Sequence, residues 1–257
     1  MRVFKGFLIA FSLYSKIPMP NVPWEKEDMQ YQLIFFPWVG GVIGILLYLW
    51  SLVAENYSIG NLCYVLVGVA IPLLVTGGFH MDGFMDTMDA MHSYKCREEK
   101  LKILKDPHIG AFAVLMLVLY GLIYTAAFSE ITYGLVPICG MGFFLARALS
   151  GIGVLKFPGA KKDGMLHSFS DSVSGEKKGG ICFTLYVELV LCVLLMIWKQ
   201  PVFGTVAVVS QVLTFVYYYF KSKKEFGGIT GDTAGYFVAM SECVMLVALA
   251  VCNHLVG

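Results

Sequence analysis

Residues Asn61 to Asp89 read NLCYVLVGVAIPLLVTGGFHMDGFMDTMD, an uncharged run ending at Phe79 followed by carboxylates at positions 82, 86 and 89. The uncharged part is long enough to be a membrane span, which needs about 17 to 25 apolar residues to cross roughly 30 Å of hydrocarbon. The acidic part has helical spacing. At about 100° per residue, Asp82, Asp86 and Asp89 fall within roughly 60° of one another on one face. Like charges three or four residues apart repel by a few tenths of a kcal/mol per pair, so the pattern asks for a compensating cation. A hard divalent ion such as Mg²⁺ takes carboxylate oxygens and shares them with substrate phosphates.

The rest of the chain is built the same way. Of its 257 residues, 58% are hydrophobic and only 14% charged, with a mean hydropathy of +0.72. That composition excludes an ordinary soluble domain and predicts a single all-α domain over residues 1–257, a polytopic membrane helical bundle. Seven segments have spanning length: 33–54, 61–79, 109–129, 133–155, 181–198, 201–220 and 233–255. Residues 3–15 are apolar but too short to cross. They lack a signal-peptidase-like site and are followed by Lys16, Pro18 and Pro20, so an interfacial or re-entrant helix is expected.

Basic residues set the orientation. Of 19 Lys and Arg, four precede the first span, five lie in 80–108, five in 156–180 and three in 221–232. Lys199 alone occupies a loop on the opposite side, and Arg147 lies within a span. The positive-inside rule makes the basic side cytoplasmic. The opposite loops, 55–60, 130–132 and 199–200, are very short, so water-soluble substrates are expected to be handled on the cytoplasmic side. Seven cysteines form no CxxC pair, and six fall within spans, which fits free thiols rather than disulfides or zinc.

Other constellations accompany the acidic face. The helix CREEKLKILK should stop before Asp106-Pro107, with Asp106 suited to cap the next span. Glu225 to Tyr236, EFGGITGDTAGY, leads into the last span; Gly227, Gly228 and Gly231 permit close backbone approach, and Thr230 or Asp232 can cap the helix. The loop KFPGAKKDGMLHSFSDS carries Lys156, Lys161, Lys162 and His167. His80 joins the acidic face as a ligand only if its helix begins after it. Arg147, Glu188 and Glu242 sit at membrane depth, where ionisable groups face a bundle interior and pair with one another or line a pocket.

Several ordered motifs together resemble the cobalamin synthase (adenosylcobinamide-GDP ribazoletransferase) family: GGFHMDGFMDTMDA, KILKDPHIGAFAV, FLAR at 144–147, FPGAKKDG and GGITGD, with FSLYSKIPMP and PWVGG upstream. The chain departs from the family's usual pattern at Ala90, Pro107, His108, Lys161 and Tyr236. The resemblance implies a bacterial cytoplasmic-membrane enzyme that requires Mg²⁺ and joins adenosylcobinamide-GDP to α-ribazole or its 5′-phosphate, releasing GMP. It implies that Asp82, Asp86, Asp89 and Asp232 hold the metal, that His80, Asp82 and Arg147 serve catalysis, and that Asp106, Lys161, Gly228, Thr230 and Gly231 contact substrate. A lipid bilayer surrounds such an enzyme, no nucleic acid partner is expected, and a homo-oligomer is left open. Two other readings stand beside it. A CDP-alcohol phosphotransferase would share Asp82-Gly83 but places alanine and arginine where Met85 and Asp86 stand. An ion- or proton-coupled transporter would use Glu188, Glu242 and Arg147.

Overall fold

The computed structural model describes residues 2–20, 22–23, 25–160 and 175–256. Among them the chain is helical: α1 Arg2–Tyr14, a short α2 Lys26–Met29, α3 Gln32–Asn56, α4 Asn61–Thr76, α5 Phe79–His92, α6 Arg97–Ile103, α7 Ala111–Ser129, α8 Val136–Lys156, α9 Gly175–Lys199, α10 Pro201–Phe226 and α11 Gly231–Val256. Six of these, α3 and α7 to α11, are long and apolar enough to cross a membrane.

One of the seven expected spans, 61–79, is broken. The apolar run 61–79 does not continue into the acidic segment as one rod, because α4 ends at Thr76 and α5 leaves at 93° to it. Gly77 and Gly78 make the corner with φ of +62° and +81°, a left-handed conformation that side chains disfavour. Thr76 Oγ1 donates to Pro72 O at 2.8 Å and accepts from the Gly78 amide at 3.3 Å. The Lys16 amide donates to Val75 O at 2.7 Å, which ties the segment after α1 to this corner. Sixteen residues of α4 rise about 24 Å, short of a full crossing, and α5 turns aside with its carboxylates.

The central helix is α8, buried along most of its length. It packs most extensively on α3, where Gly44 meets Gly140 backbone to backbone; a Cβ on Gly44 would lie 2.6 Å from the Gly140 Cα. Small residues in contact are the usual means of close approach between helices in lipid, where dispersion rather than water exclusion drives packing. Leu62, Leu66, Leu115 and Leu122 on α4 and α7 are exposed, as expected of a bilayer-facing rim. The expected short N-terminal helix is present as α1, with Ile9, Ala10 and Phe11 buried and its packing directed onto α3. All seven cysteines are free.

Inside the bundle Arg147 of α8 donates to Glu242 of α11 at 2.7 Å and to Phe143 O at 2.9 Å, with 1% and 7% of the two side chains exposed. Glu188 takes no part in that pair; its Oε1 accepts from Trp38 Nε1 at 2.9 Å.

The glycine contact gives a measurable expectation. Gly44→Leu forces α3 from α8 and should lower the unfolding midpoint in detergent by roughly 5 °C, from about 2 kcal/mol of overpacking, whereas Gly121→Leu should leave it unchanged. Gly121 has no heavy atom within 4 Å of its Cβ position.

Candidate active site

The acidic face of α5 meets the start of α11. Gly83 sits against Asp232, with a Cβ position 2.7 Å from Asp232 O, and Gly235 sits against His80 O at 3.2 Å. No side chain separates the two backbones here, so Asp232 is carried to the same place as Asp82, Asp86 and Asp89. The electrostatics show the convergence. Asp86 is partly buried, and its carboxyl is pushed up to about 6, first by loss of solvent and then by the negative charges of Asp82, Asp232 and Asp89. Asp82 is exposed, and Asp89 and Asp232 are partly buried. The Asp89 carboxylate lies against the Cα of Gly110, immediately before α7.

These donors suit a divalent ion of one kind. Among the described residues no three His, Cys, Asp or Glu side chains stand ready as an all-protein metal cage. Mg²⁺ seldom uses one; it takes one or two carboxylates and completes its shell with water and substrate phosphate. Several oxygen donors crowded at a solvent-accessible helix junction, one of them with its carboxyl raised by burial and by its acidic neighbours, match that habit.

The glycine loop is positioned by a partner that its own sequence does not announce. Ile229 N donates to Pro158 O and Ala160 N to Ile229 O, both at 2.9 Å, so FPGA of one loop pairs with GGIT of the other. Gly228 is therefore structural: its Cβ position is filled by the backbone of residues 158–160. Gly231 faces open space. Thr230 and Thr233 cap α11 reciprocally, through Thr233 N to Thr230 Oγ1 at 3.1 Å and Thr230 N to Thr233 Oγ1 at 2.8 Å. The Thr230 hydroxyl also donates to Asp232 Oδ2 at 3.4 Å and orients that carboxylate.

Helix α6 supplies a residue that motif reading passed over. The Arg97 guanidinium lies over Gly227, whose φ of +82° closes α10. Lys100, one turn further along the same face of α6 and buried, pairs with Glu225, which also meets Lys221 at 3.2 Å; the Lys100 hydrogen bond holds the Glu225 carboxyl below its usual range. Phe226, Leu104 and Ala90 pack together and lock the ends of α10, α6 and α5. Only the charge run in 95–105 hinted that this helix borders the site.

Other expected site residues fall elsewhere. α5 begins at Phe79, so the condition for His80 to face the carboxylates is not met; its ring is 6% exposed and lies 5.5 Å from Phe36 and 6.5 Å from Tyr14, centroid to centroid. Arg147 is held by Glu242, and no ion pair joins it to the α5 carboxylates. The expectation that Asp106 caps α7 is corrected. Gly110 occupies that position, while Asp106 accepts from the His108 amide at 3.0 Å and contacts His108 Nδ1 at 2.6 Å. The His108 amide, then its ring, lower the Asp106 carboxyl below its usual range. Lys161, Lys162 and His167 lie outside the described residues. A larger apolar cavity of about 620 Å³, lined by Trp38, Phe144 and Glu188 among others, contains none of the four aspartates.

Comparison with known proteins agrees with the motifs. The profile of the cobalamin-5-phosphate synthase family matches residues 6–250. A protein of Lachnoclostridium phytofermentans called adenosylcobinamide-GDP ribazoletransferase is 37% identical over 98% of this chain and 94% of its own length. Proteins with the same name from Halalkalibacterium halodurans, 32% identical over 90% of this chain and 89% of theirs, and from Clostridium perfringens, 28% identical over 98% and 100%, are similar along their lengths. No solved structure matches. With a family profile covering nearly the whole chain and ordered motifs meeting at one helix junction, this chain belongs to the cobalamin-5-phosphate synthase family.

Proposed function

We propose that this chain transfers the cobinamide-phosphate moiety of adenosylcobinamide-GDP to a ribose hydroxyl of α-ribazole or its 5′-phosphate, releasing GMP. The observation that carries the reading is the meeting of four carboxylates from two helices beside a glycine loop. The chemistry is phosphoryl transfer, which depends on positioning and on neutralising phosphate charge rather than on covalent work by the protein. One or two of Asp82, Asp86, Asp89 and Asp232 would ligate Mg²⁺ and the others attract it, and the bound ion would neutralise pyrophosphate charge. Thr230 keeps Asp232 oriented. Gly231, open on its Cβ side, lets phosphate approach the first turn of α11, where backbone amides favour anions. Arg97, exposed above Gly227, and the lysines near 161 would balance charge on the departing guanylate. An aspartate is better placed than His80 to accept the proton of the attacking hydroxyl, because His80 is turned to the other side of α5.

The setting proposed is the cytoplasmic membrane, with the carboxylates on the cytoplasmic side; the support is the gathering of seventeen basic residues in the loops at that end.

Purified protein in lipid nanodiscs, given both substrates and Mg²⁺, should release GMP and form cobalamin. Chelator should stop the reaction and Mg²⁺ restore it, and Asp82→Ala or Asp86→Ala should slow it by roughly a hundredfold or more. Wild-type rates in both variants would remove the metal assignment. For topology, a membrane-impermeant maleimide should label Cys96, exposed before α6, in inside-out vesicles and not in intact cells. The reverse labelling would invert the orientation.

A further inference from the structure

His80 is a buried polar side chain with nothing bonded to it. It is 6% exposed, and neither ring nitrogen has a hydrogen-bond partner. Leaving a buried donor or acceptor unmet costs about 1–3 kcal/mol, so such a group is commonly kept for a ligand or a trapped water. The ring borders a cavity of about 120 Å³ whose wall includes Tyr14, Phe36, Phe79 and Ser150, with exposed Gly231 on its edge. It also borders a cavity of about 100 Å³ on the Arg147 side.

The first cavity adjoins the carboxylates without containing them: none of the four aspartates lines it, but Phe79 of α5 and Gly231 of α11 do. Phe79, Asp82, Asp86 and Asp89 follow one another on α5 at spacings of three, four and three, so the aromatic wall continues the acidic face at its N-terminal end. On α11, Gly231 at the edge is followed directly by Asp232. A molecule seated there would present its protruding part to carboxylates from both helices. The site suits a flat, apolar heterocycle: aromatic rings line it, and a cavity of about 150 Å³ takes up one benzene. Its volume admits the leading part of a bicycle and leaves the remainder at the mouth. The base of α-ribazole is such a bicycle, a benzimidazole with one ring nitrogen not bonded to ribose.

Resting on the transferase reading above, we propose that this cavity seats the base of α-ribazole and that His80 donates a hydrogen bond to its unsubstituted ring nitrogen. His80 is then a specificity-determining residue that touches substrate, separate from the carboxylates that handle phosphate. No bond is made or broken at His80. A site that hydrogen-bonds a ring nitrogen rejects an analogue lacking it far more strongly than one that merely encloses a ring.

The test measures equilibrium binding of α-ribazole to the purified full chain in detergent, without the second substrate, beside its indole isostere, which lacks that nitrogen. Wild type should bind the isostere roughly tenfold or more weakly. His80→Leu should weaken α-ribazole by a similar factor, bind both compounds within about twofold, and leave KM for adenosylcobinamide-GDP within about twofold, while His80→Gln should recover part of the preference. Gly231→Leu should also weaken α-ribazole by obstructing the edge. The proposal is overturned if wild type does not discriminate, or if His80→Leu binds α-ribazole normally and loses only kcat. Should His80→Leu fail to fold, wild-type discrimination and Gly231→Leu still decide. Wild type that binds α-ribazole with discrimination yet releases no GMP would remove the transferase reading and leave the base site standing.

Discussion

The contact between Gly83 and Asp232, backbone against backbone, is the constraint from which the candidate site follows. A helix pair separated by ordinary side chains stands 8–10 Å apart between axes, and glycines bring it closer. With Gly83 on α5 and Gly235 on α11, the two helices touch where one ends its first turn and the other begins, and Asp232 becomes a neighbour of the three α5 carboxylates. The 93° corner at Gly77-Gly78 is the companion condition, since a straight continuation of α4 would carry Asp82 along its axis rather than across the end of α11.

Asp82, Asp89 and Asp232 act on Asp86 as like charges, and the elements around them are locked together. Lys100 and Glu225 clamp α6 to the end of α10, Phe226 packs with Leu104 and Ala90, and the segment Pro158–Ala160 pairs with the glycine loop. Such a frame keeps the acids together at the cost of mutual repulsion, which the proposed cation and its bound phosphate would relieve. Site preorganisation of this kind suits phosphoryl transfer, in which little is asked of the protein beyond placement and charge.

The helical bundle was legible from apolar length, because every lipid-spanning segment must satisfy its backbone internally and so announces itself as a long apolar run. The break inside 61–79 was less so. Gly77-Gly78 looks in sequence like the tail of a span, and only the φ values show it as a corner. The acidic face was legible because i, i+4, i+7 spacing is a local property of one helix. Asp232 as its neighbour depended on tertiary contacts of Gly83 with Asp232 and of Gly235 with His80, residues far apart in the chain, which periodicity does not encode. Arg97 and the 158–160 pairing were missed for the same reason. The expected cap at Asp106 failed because Asp106 closed a turn with His108, and Arg147, read from sequence as either paired or catalytic, is found paired with Glu242.

Divalent-ion binding across the α5–α11 junction tests the central claim most directly. Mn²⁺ affinity, followed by electron paramagnetic resonance with GDP present, would be compared among wild type, Asp86→Asn, Asp232→Asn and the double variant. If one ion draws on both helices, each single change weakens binding by roughly tenfold, and the double variant falls well short of the product of the two losses, because the groups serve a single site. Wild-type affinity in Asp232→Asn, with the whole loss confined to Asp86→Asn, would contradict the account.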